Sequence, residues 1–137
     1  GLSHANMRAI AFAQEQEDFD AWVENEQQEA REPGQQLAAE GARLFVEGSG
    51  DGTFPNGGAC GSCHTIEGTT AQGIVGPNLT HFASRETFAG AMFELNEANL
   101  AAWIDDPPAV KPGSLMPDYN LSPEEIDAVV AYLMGLE

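Results

Sequence analysis

The chain has 137 residues, which is room for one compact domain and an appendage. Its 22 Asp and Glu residues against five Lys and Arg give a formal net charge of −17. Such an acidic surface argues against nucleic acid and against anionic membrane surfaces as partners. No run of about 18 apolar residues occurs, so no membrane-spanning helix is predicted and the chain as given is expected to be soluble. It begins without an initiator Met or a visible signal peptide, so we expect a fragment of a longer protein.

Residues 1–33 differ in composition from the rest, with eight acidic and two basic residues among the first 32. Phe19, Trp22 and Val23 recur at helical spacing and predict an amphipathic helix over about 15–30. The residues alone support no more than a solvated helix on a linker. The Pro33-Gly34 pair breaks the pattern and predicts a boundary before a second unit, 34–137.

Four helices are predicted in the second unit, which indicates an all-α fold class. Their expected spans are 35–46, 84–95, 97–105 and a last helix that begins at Pro123 and ends near Gly135. Ser84, Asn96 and Ser122 are the candidate N-caps of the last three. Loops are expected over 48–58, 68–84 and 107–120.

The sequence Cys60-Gly-Ser-Cys63-His64 carries the clearest chemical signal. Its C-x-x-C-H order is typical of c-type haem attachment, because two thiols at this spacing can reach the two vinyl groups on one side of a porphyrin. The neutral imidazole of the next residue, His64, can then bind the iron. A zinc site with His81 is an alternative, but no second ligand pair is present. A thiol–disulfide redox pair is another, but no α/β pattern surrounds the motif.

Met116 is the candidate for the second iron ligand. It lies in a proline-rich loop with few conformations, whereas core methionines usually lie on periodic helices. His81 is a rival and would give a bis-histidine haem of lower potential. Of the other methionines, Met92 and Met134 fall in predicted helices and Met7 lies in the appendage.

Together these features resemble a class I cytochrome c domain over residues 34–137. The segments that carry the resemblance follow one another in the order of that family: Gly41-Ala-Arg-Leu-Phe45, Cys60 to His64, Gly76-Pro77-Asn78-Leu79, Trp103, Pro112-Gly-Ser-Leu-Met116 and Ala131-Tyr132-Leu133. The resemblance implies about four to five helices around one covalent haem c, with His64 and Met116 as the axial iron ligands.

The resemblance also implies how the first and last helices meet. In that family they cross where a glycine faces an aromatic side chain. Gly41 and Phe45 are therefore expected against Val129 and Tyr132.

Three further residues receive roles around the haem. The resemblance implies that the Pro77 carbonyl accepts a hydrogen bond from the His64 ring and so orients it. Trp103 matches an aromatic residue that lines the Met116 side of the haem. Arg85 is a candidate partner for the haem propionates, because of its charge and because cations are scarce in this chain.

A closer resemblance covers the beginning of the chain. The segment from Gly1 to Met7, with His4, resembles the end of the binuclear copper (CuA) motif of haem–copper oxidase subunit II, and residues 19–22 fit the acidic helix that follows it. The later segments resemble the cytochrome c domain fused to subunit II in caa-type oxidases. Residues 1–33 would then be the C-terminal remnant of a cupredoxin domain, partly helical and partly extended. Both bridging cysteines of the copper motif are missing, so a CuA centre is expected only in the longer parent.

The function that this resemblance implies is one-electron transfer without substrate chemistry at the metal. Electrons would come from a cytochrome bc-type complex or a small soluble carrier and pass to the CuA centre, towards oxygen reduction. The partners would be the CuA domain and the other oxidase subunits, on the outer, periplasmic face of the plasma membrane, with the anchor in the missing upstream part. The alternatives are a free diffusible periplasmic cytochrome c, a thiol–disulfide oxidoreductase that uses Cys60 and Cys63, and a haem sensor with an open iron site.

Overall fold

The computed structural model describes residues 4–49 and 59–137. Within them it contains five α-helices and one antiparallel hairpin. In chain order the elements are α1 (Gln16–Glu26), α2 (Gln36–Glu47), β1 (Thr87–Phe88), β2 (Phe93–Glu94), α3 (Glu97–Asp105), α4 (Pro107–Val110) and α5 (Pro123–Leu133), with short 3₁₀ turns at His4–Asn6 and Cys60–Ser62. The predicted all-α class is confirmed. The loop expected over 48–58 lies, from residue 50 onwards, outside the described residues.

Helices α2 and α5 cross in direct backbone contact at Gly41. A Cβ atom on Gly41 would overlap the Ala128 carbonyl and would lie 2.9 Å from the Tyr132 Cβ. One turn further along α2, the Phe45 ring packs edge-on against the Tyr132 ring at a centroid distance of 5.9 Å. The glycine–aromatic crossing expected from the sequence is therefore present.

Two helices begin at the N-cap residues that the sequence predicted. Ser122 and Glu125 form the predicted capping box: the Glu125 amide donates to the Ser122 hydroxyl at 3.2 Å, and the Ser122 amide donates to the Glu125 carboxylate at 2.8 Å. Asn96 caps α3 by accepting from the Asn99 amide at 2.9 Å. The predicted spans of α2, α3 and α5 agree with the structure to within about two residues, which is the usual uncertainty of helix ends.

The prediction of a helix over 84–95 is wrong, because these residues form the β1–β2 hairpin instead. The hairpin places Phe88 opposite Phe93, with ring centroids 5.5 Å apart. A helix would separate two residues five positions apart by more than a full turn and would turn them to different faces. Three consecutive positive φ angles, at Ala89, Gly90 and Ala91, form the reversal between the strands.

Two smaller differences concern the end of α1 and the start of the loop predicted from residue 107. Helix α1 ends at Glu26, four residues before the predicted end. The predicted loop from residue 107 begins with the short helix α4, which has Pro107 in its first turn and Asp106 as its N-cap. Among the described residues, no helix combines the length and apolar character that crossing a membrane requires.

We expect Gly41→Ala to destabilise the fold by about 2 kcal/mol, because the new methyl group must separate α2 from α5. An alanine is otherwise better than glycine inside a helix by about 1 kcal/mol, so a loss of stability isolates the packing effect. Gly34→Ala is the matched control, since no atom lies within 4 Å of its Cβ position. Chemical denaturation of both variants measures the difference, and equal stabilities would contradict the close crossing.

Candidate functional site

The helices and the hairpin enclose a cavity of about 660 Å³ whose lining is mainly apolar. Its apolar lining includes Phe45, Leu79, Phe82, Phe88 and Leu100. Six of the seven predicted site residues line it: Cys60, His64, Pro77, Arg85, Trp103 and Met116. The seventh, Cys63, lines an adjoining cavity of about 100 Å³ together with Cys60, His64 and Met116. The fold thus brings the predicted site residues into one region.

The Cys60–Ser62 turn presents the two thiols. The amides of Cys63 and His64 both donate to the Cys60 carbonyl, at 3.1 and 3.0 Å, and the Ser62 hydroxyl donates to the Ala59 carbonyl at 2.6 Å. The turn is also packed against the following loop, because a Cβ on Gly73 would overlap the Cys63 backbone. These contacts place Cys60 in the buried core and leave Cys63 half-buried.

The chemistry of Cys60 does not suit a thiol–disulfide redox pair. Burial raises the pKa of the Cys60 thiol from 9.0 to about 11. Exchange of disulfides needs a thiolate, and redox-active cysteines have a lowered pKa. Among the described residues, no group of three or more His, Cys, Asp and Glu side chains is arranged to hold a metal ion.

The His64 ring is oriented by one hydrogen bond and one close backbone contact. Its Nδ1 lies 2.9 Å from the Pro77 carbonyl oxygen. Because a carbonyl only accepts, Nδ1 carries the proton in a neutral ring, and the lone pair is left on Nε2. Gly76 lies against the same ring, and a Cβ at that position would collide with it. The hydrogen bond that the resemblance implied is present.

The rival ligand His81 is not among the residues that line either cavity. It is buried, and its two ring nitrogens lie 3.1 and 3.0 Å from the backbone carbonyls of Glu137 and Gln28. Met92 and Met134 are likewise absent from both linings, whereas Met7 lines the large cavity.

Met116 lies in a loop that folds back on itself. The Ser114 amide donates to the Lys111 carbonyl at 3.0 Å, and the Met116 amide donates to the Ser114 hydroxyl at 3.3 Å. Gly113 has a φ of 88°, which glycine adopts readily. Met116 lines both cavities, as does His64.

Two cations line the large cavity, Arg85 and Lys111. The Arg85 guanidinium donates to the Asn78 carbonyl at 2.6 Å and lies 5.5 Å from the centre of the Phe82 ring. Partial desolvation there lowers the pKa of Arg85, while the negative charge of Glu26 acts in the opposite direction.

The sequence analysis did not identify Lys111. Its ammonium donates to the Ala89 carbonyl at 2.6 Å, and so joins the loop that carries Met116 to the hairpin. In the described part of the chain neither Lys111 nor Arg85 forms an ion pair with a carboxylate. The available signal was that Lys111 is the only lysine in the chain and lies five residues before Met116.

Trp103 and the start of the chain complete the cavity wall. The Trp103 ring lies on α3 and packs against the rings of Phe88 and Phe93, at centroid distances of 6.1 Å each. His4 and Met7 also line the cavity, and the Arg8 amide donates to the Gly90 carbonyl at 3.2 Å. The first described residues therefore lie beside the hairpin at the edge of the cavity.

Comparisons with known proteins match this chain to one family and to relatives that share one name. The family model described as "Cytochrome c" matches residues 38–137. Proteins named cytochrome c oxidase subunit 2 are similar along the whole chain, with identities of 40% over 138 residues in Alkalihalophilus pseudofirmus, 36% over 144 in Bacillus sp. (strain PS3) and 31% over 142 in Bacillus subtilis. Each alignment covers all of this chain but only 36%, 37% and 37% of these relatives, respectively. The chain therefore spans just over a third of their length.

We expect Gly76→Ala to push the His64 ring away from the Pro77 carbonyl, because the added methyl group would occupy space that the ring now fills. Loss of the protected Nδ1–H signal in the proton NMR spectrum would report this displacement. Gly135→Ala is the matched control, since its Cβ would make only an ordinary contact of 3.4 Å with the Tyr132 carbonyl. An unchanged Nδ1–H signal in Gly76→Ala would contradict the assigned contact.

Proposed function

The chain belongs to the cytochrome c family, and on that premise we propose that residues 34–137 are a single-haem electron-transfer domain. Its fold is the class I cytochrome c fold, as the resemblance implied. The observation that carries the proposal is that one cavity of about 660 Å³ is lined by Cys60, His64 and Met116, with Cys63 beside it.

The residues present fit a covalently attached haem c. The lining is mainly apolar, as a porphyrin ring requires, and two thiols lie at one end beside an imidazole with its Nε2 lone pair free. In this assignment Cys60 and Cys63 hold the haem through thioether bonds, and His64 and Met116 bind the iron. The haem supplies an iron that gains or loses one electron. With His64 and Met116 as its two protein ligands, the iron would have no position left for a substrate.

The two cations of the cavity suit the two carboxylates that a haem carries. The remaining charge of the chain is strongly negative, so cations inside this cavity are conspicuous. We assign Arg85 and Lys111 to the propionates. A positive charge near a haem iron favours its reduced state, so these residues would raise the reduction potential.

The relatives named cytochrome c oxidase subunit 2 support a biological setting in an oxidase. We assign residues 1–33 to the end of a preceding copper-binding domain and residues 34–137 to the haem domain. His4 and Met7 resemble CuA ligands, and the relatives match this chain from its first residues onward, which supports transfer from the haem to a CuA centre in the longer parent. The partners in this proposal are that domain and the other oxidase subunits, on the outer face of the membrane.

A small apolar surface suits the entry of electrons. Ile74, Val75 and Leu115 are 91, 82 and 96% exposed, which is unusual for large aliphatic side chains. Val75 and Leu115 line the small cavity beside Cys63 and Met116. A brief encounter with a donor, either a cytochrome bc-type complex or a small soluble carrier, needs only such a limited and weakly binding surface.

The alternatives are separated by simple observations. A thiol–disulfide oxidoreductase would be colourless and disagrees with the raised pKa of Cys60. A haem sensor would need an iron position open to a gas, so it requires that Met116 is not an iron ligand. The similarity to subunit 2 proteins extends over the whole chain, including residues 1–33. A free diffusible cytochrome c would not account for the similarity of those first residues.

We expect the purified chain to retain the mass of one haem after acid denaturation, because thioether bonds survive unfolding. Mass spectrometry of the wild type and of Cys60→Ser with Cys63→Ser measures this, and release of haem from the wild type would refute covalent attachment.

Metal analysis should find about one iron per chain and almost no copper, since a thiolate-bridged copper centre needs cysteines beyond the two in the haem motif.

We expect Met116→Ala to bind carbon monoxide rapidly in the reduced state, because the variant leaves one axial position of the iron open. The wild type should bind it slowly or not at all. Met92→Ala is the matched control, since Met92 lines neither cavity, and it should behave as the wild type. Flash or stopped-flow mixing with carbon monoxide gives the rates, and equally rapid binding by the wild type would rule out Met116 as a ligand.

A further inference from the structure

His81 joins three separate parts of the chain. Its side chain is only 5% exposed, and its ring nitrogens lie within hydrogen-bond distance of carbonyls at Gln28 and Glu137. These partners are 53 and 56 residues away along the sequence. A buried polar ring needs such partners, because an unpaired polar group in the core is strongly unfavourable.

Residues 28–31, which we call the linker strap, make further contacts with the haem domain beside His81. The Ala30 amide donates to the Glu67 carbonyl at 3.1 Å, and Ala30 packs against the hydrophobic core. Glu29 contacts Gly68, where a Cβ would approach the Glu29 Cβ to 3.0 Å. Arg31 pairs with the Glu137 carboxylate at 3.0 Å.

The sequence predicted a linker that ends in a boundary at Pro33-Gly34. A linker of this kind is expected to make no contacts with the domain that follows it. The contacts of the strap lie before that boundary and bind it to the domain that follows. Helix α1 ends at Glu26, so only Gln27 separates it from the strap. A docked strap therefore restrains α1, and with it whatever precedes α1 in the chain.

We propose that the surface around Glu67, His81 and Glu137 is a docking site for the linker strap, with His81 as its anchor. The occupant is this chain's own residues 28–31, and the bonds are mostly to backbone groups, so the docking depends on strap conformation more than on strap sequence. Resting on the proposed function, this joint holds the preceding domain at one orientation to the haem. Electron transfer between them then proceeds from a fixed arrangement and does not wait for a diffusive encounter.

Amide hydrogen exchange in the reduced, haem-loaded chain tests the docking directly. We expect the Ala30 amide to be protected in the wild type and to lose protection by roughly tenfold or more in His81→Phe, which keeps a ring of similar size but cannot donate. Arg31→Gln is the matched control: it removes only an exposed ion pair, so the protection of Ala30 should change by less than about threefold. The Ile126 amide, bonded to the Ser122 carbonyl at 3.0 Å, reports that the haem domain remains folded.

Two results would overturn the proposal: an unprotected Ala30 amide in the wild type, or unchanged protection in a folded His81→Phe.

If His81→Phe does not fold, Ala30→Pro removes the bond to Glu67 without altering the haem domain. Trypsin should then cleave after Arg31 roughly tenfold faster than in the wild type, whereas Ala13→Pro, in the exposed segment before α1, should leave that cleavage unchanged. Equal cleavage in Ala30→Pro and wild type would also refute docking. All of these readouts are independent of electron transfer, so their failure leaves haem attachment untouched.

Discussion

The backbone contact between α2 and α5 at Gly41 brings together two helices that supply part of the cavity lining. No side chain separates the helices there, and Phe45 on α2 and Val129 and Leu133 on α5 all line the cavity. The contact also reaches the haem motif, since the Phe45 carbonyl lies close to Gly61 in the Cys60–Ser62 turn. A single position without a side chain thus connects helix packing to the placement of the two thiols.

A second set of close contacts orients the motif from the other side. The loop that follows it passes so near that Gly73 and Gly76 lie against the Cys63 backbone and the His64 ring. The same loop supplies the Pro77 carbonyl that bonds His64 Nδ1. The backbone of the loop therefore orients the His64 ring, and a bulkier residue at Gly73 or Gly76 would disturb the motif rather than the helices.

Local signals predicted much of this from the sequence alone. The caps at Asn96 and Ser122 and the span of α2 depend on residues within a few positions of one another, and these predictions agree with the structure. The helix expected over 84–95 failed because its outcome depends on distant partners. Phe88 and Phe93 pack together on Trp103, and a hairpin lets both reach it. The role of Lys111 and the structural partners of His81 were not predicted, because these side chains bond to main-chain oxygens, which carry no signature in the sequence.

The burial of Cys60 has a consequence for how the protein matures. A thiol in the core, held protonated by its surroundings, is neither accessible to an attachment enzyme nor nucleophilic. The thioether bond proposed at this residue therefore belongs to a stage at which the chain is still open. Under that proposal haem loading would precede closure of the helices, and the apolar walls of the cavity would pack around the attached haem. The burial of the Cys60 sulfur would therefore set the order of haem attachment and folding in this domain.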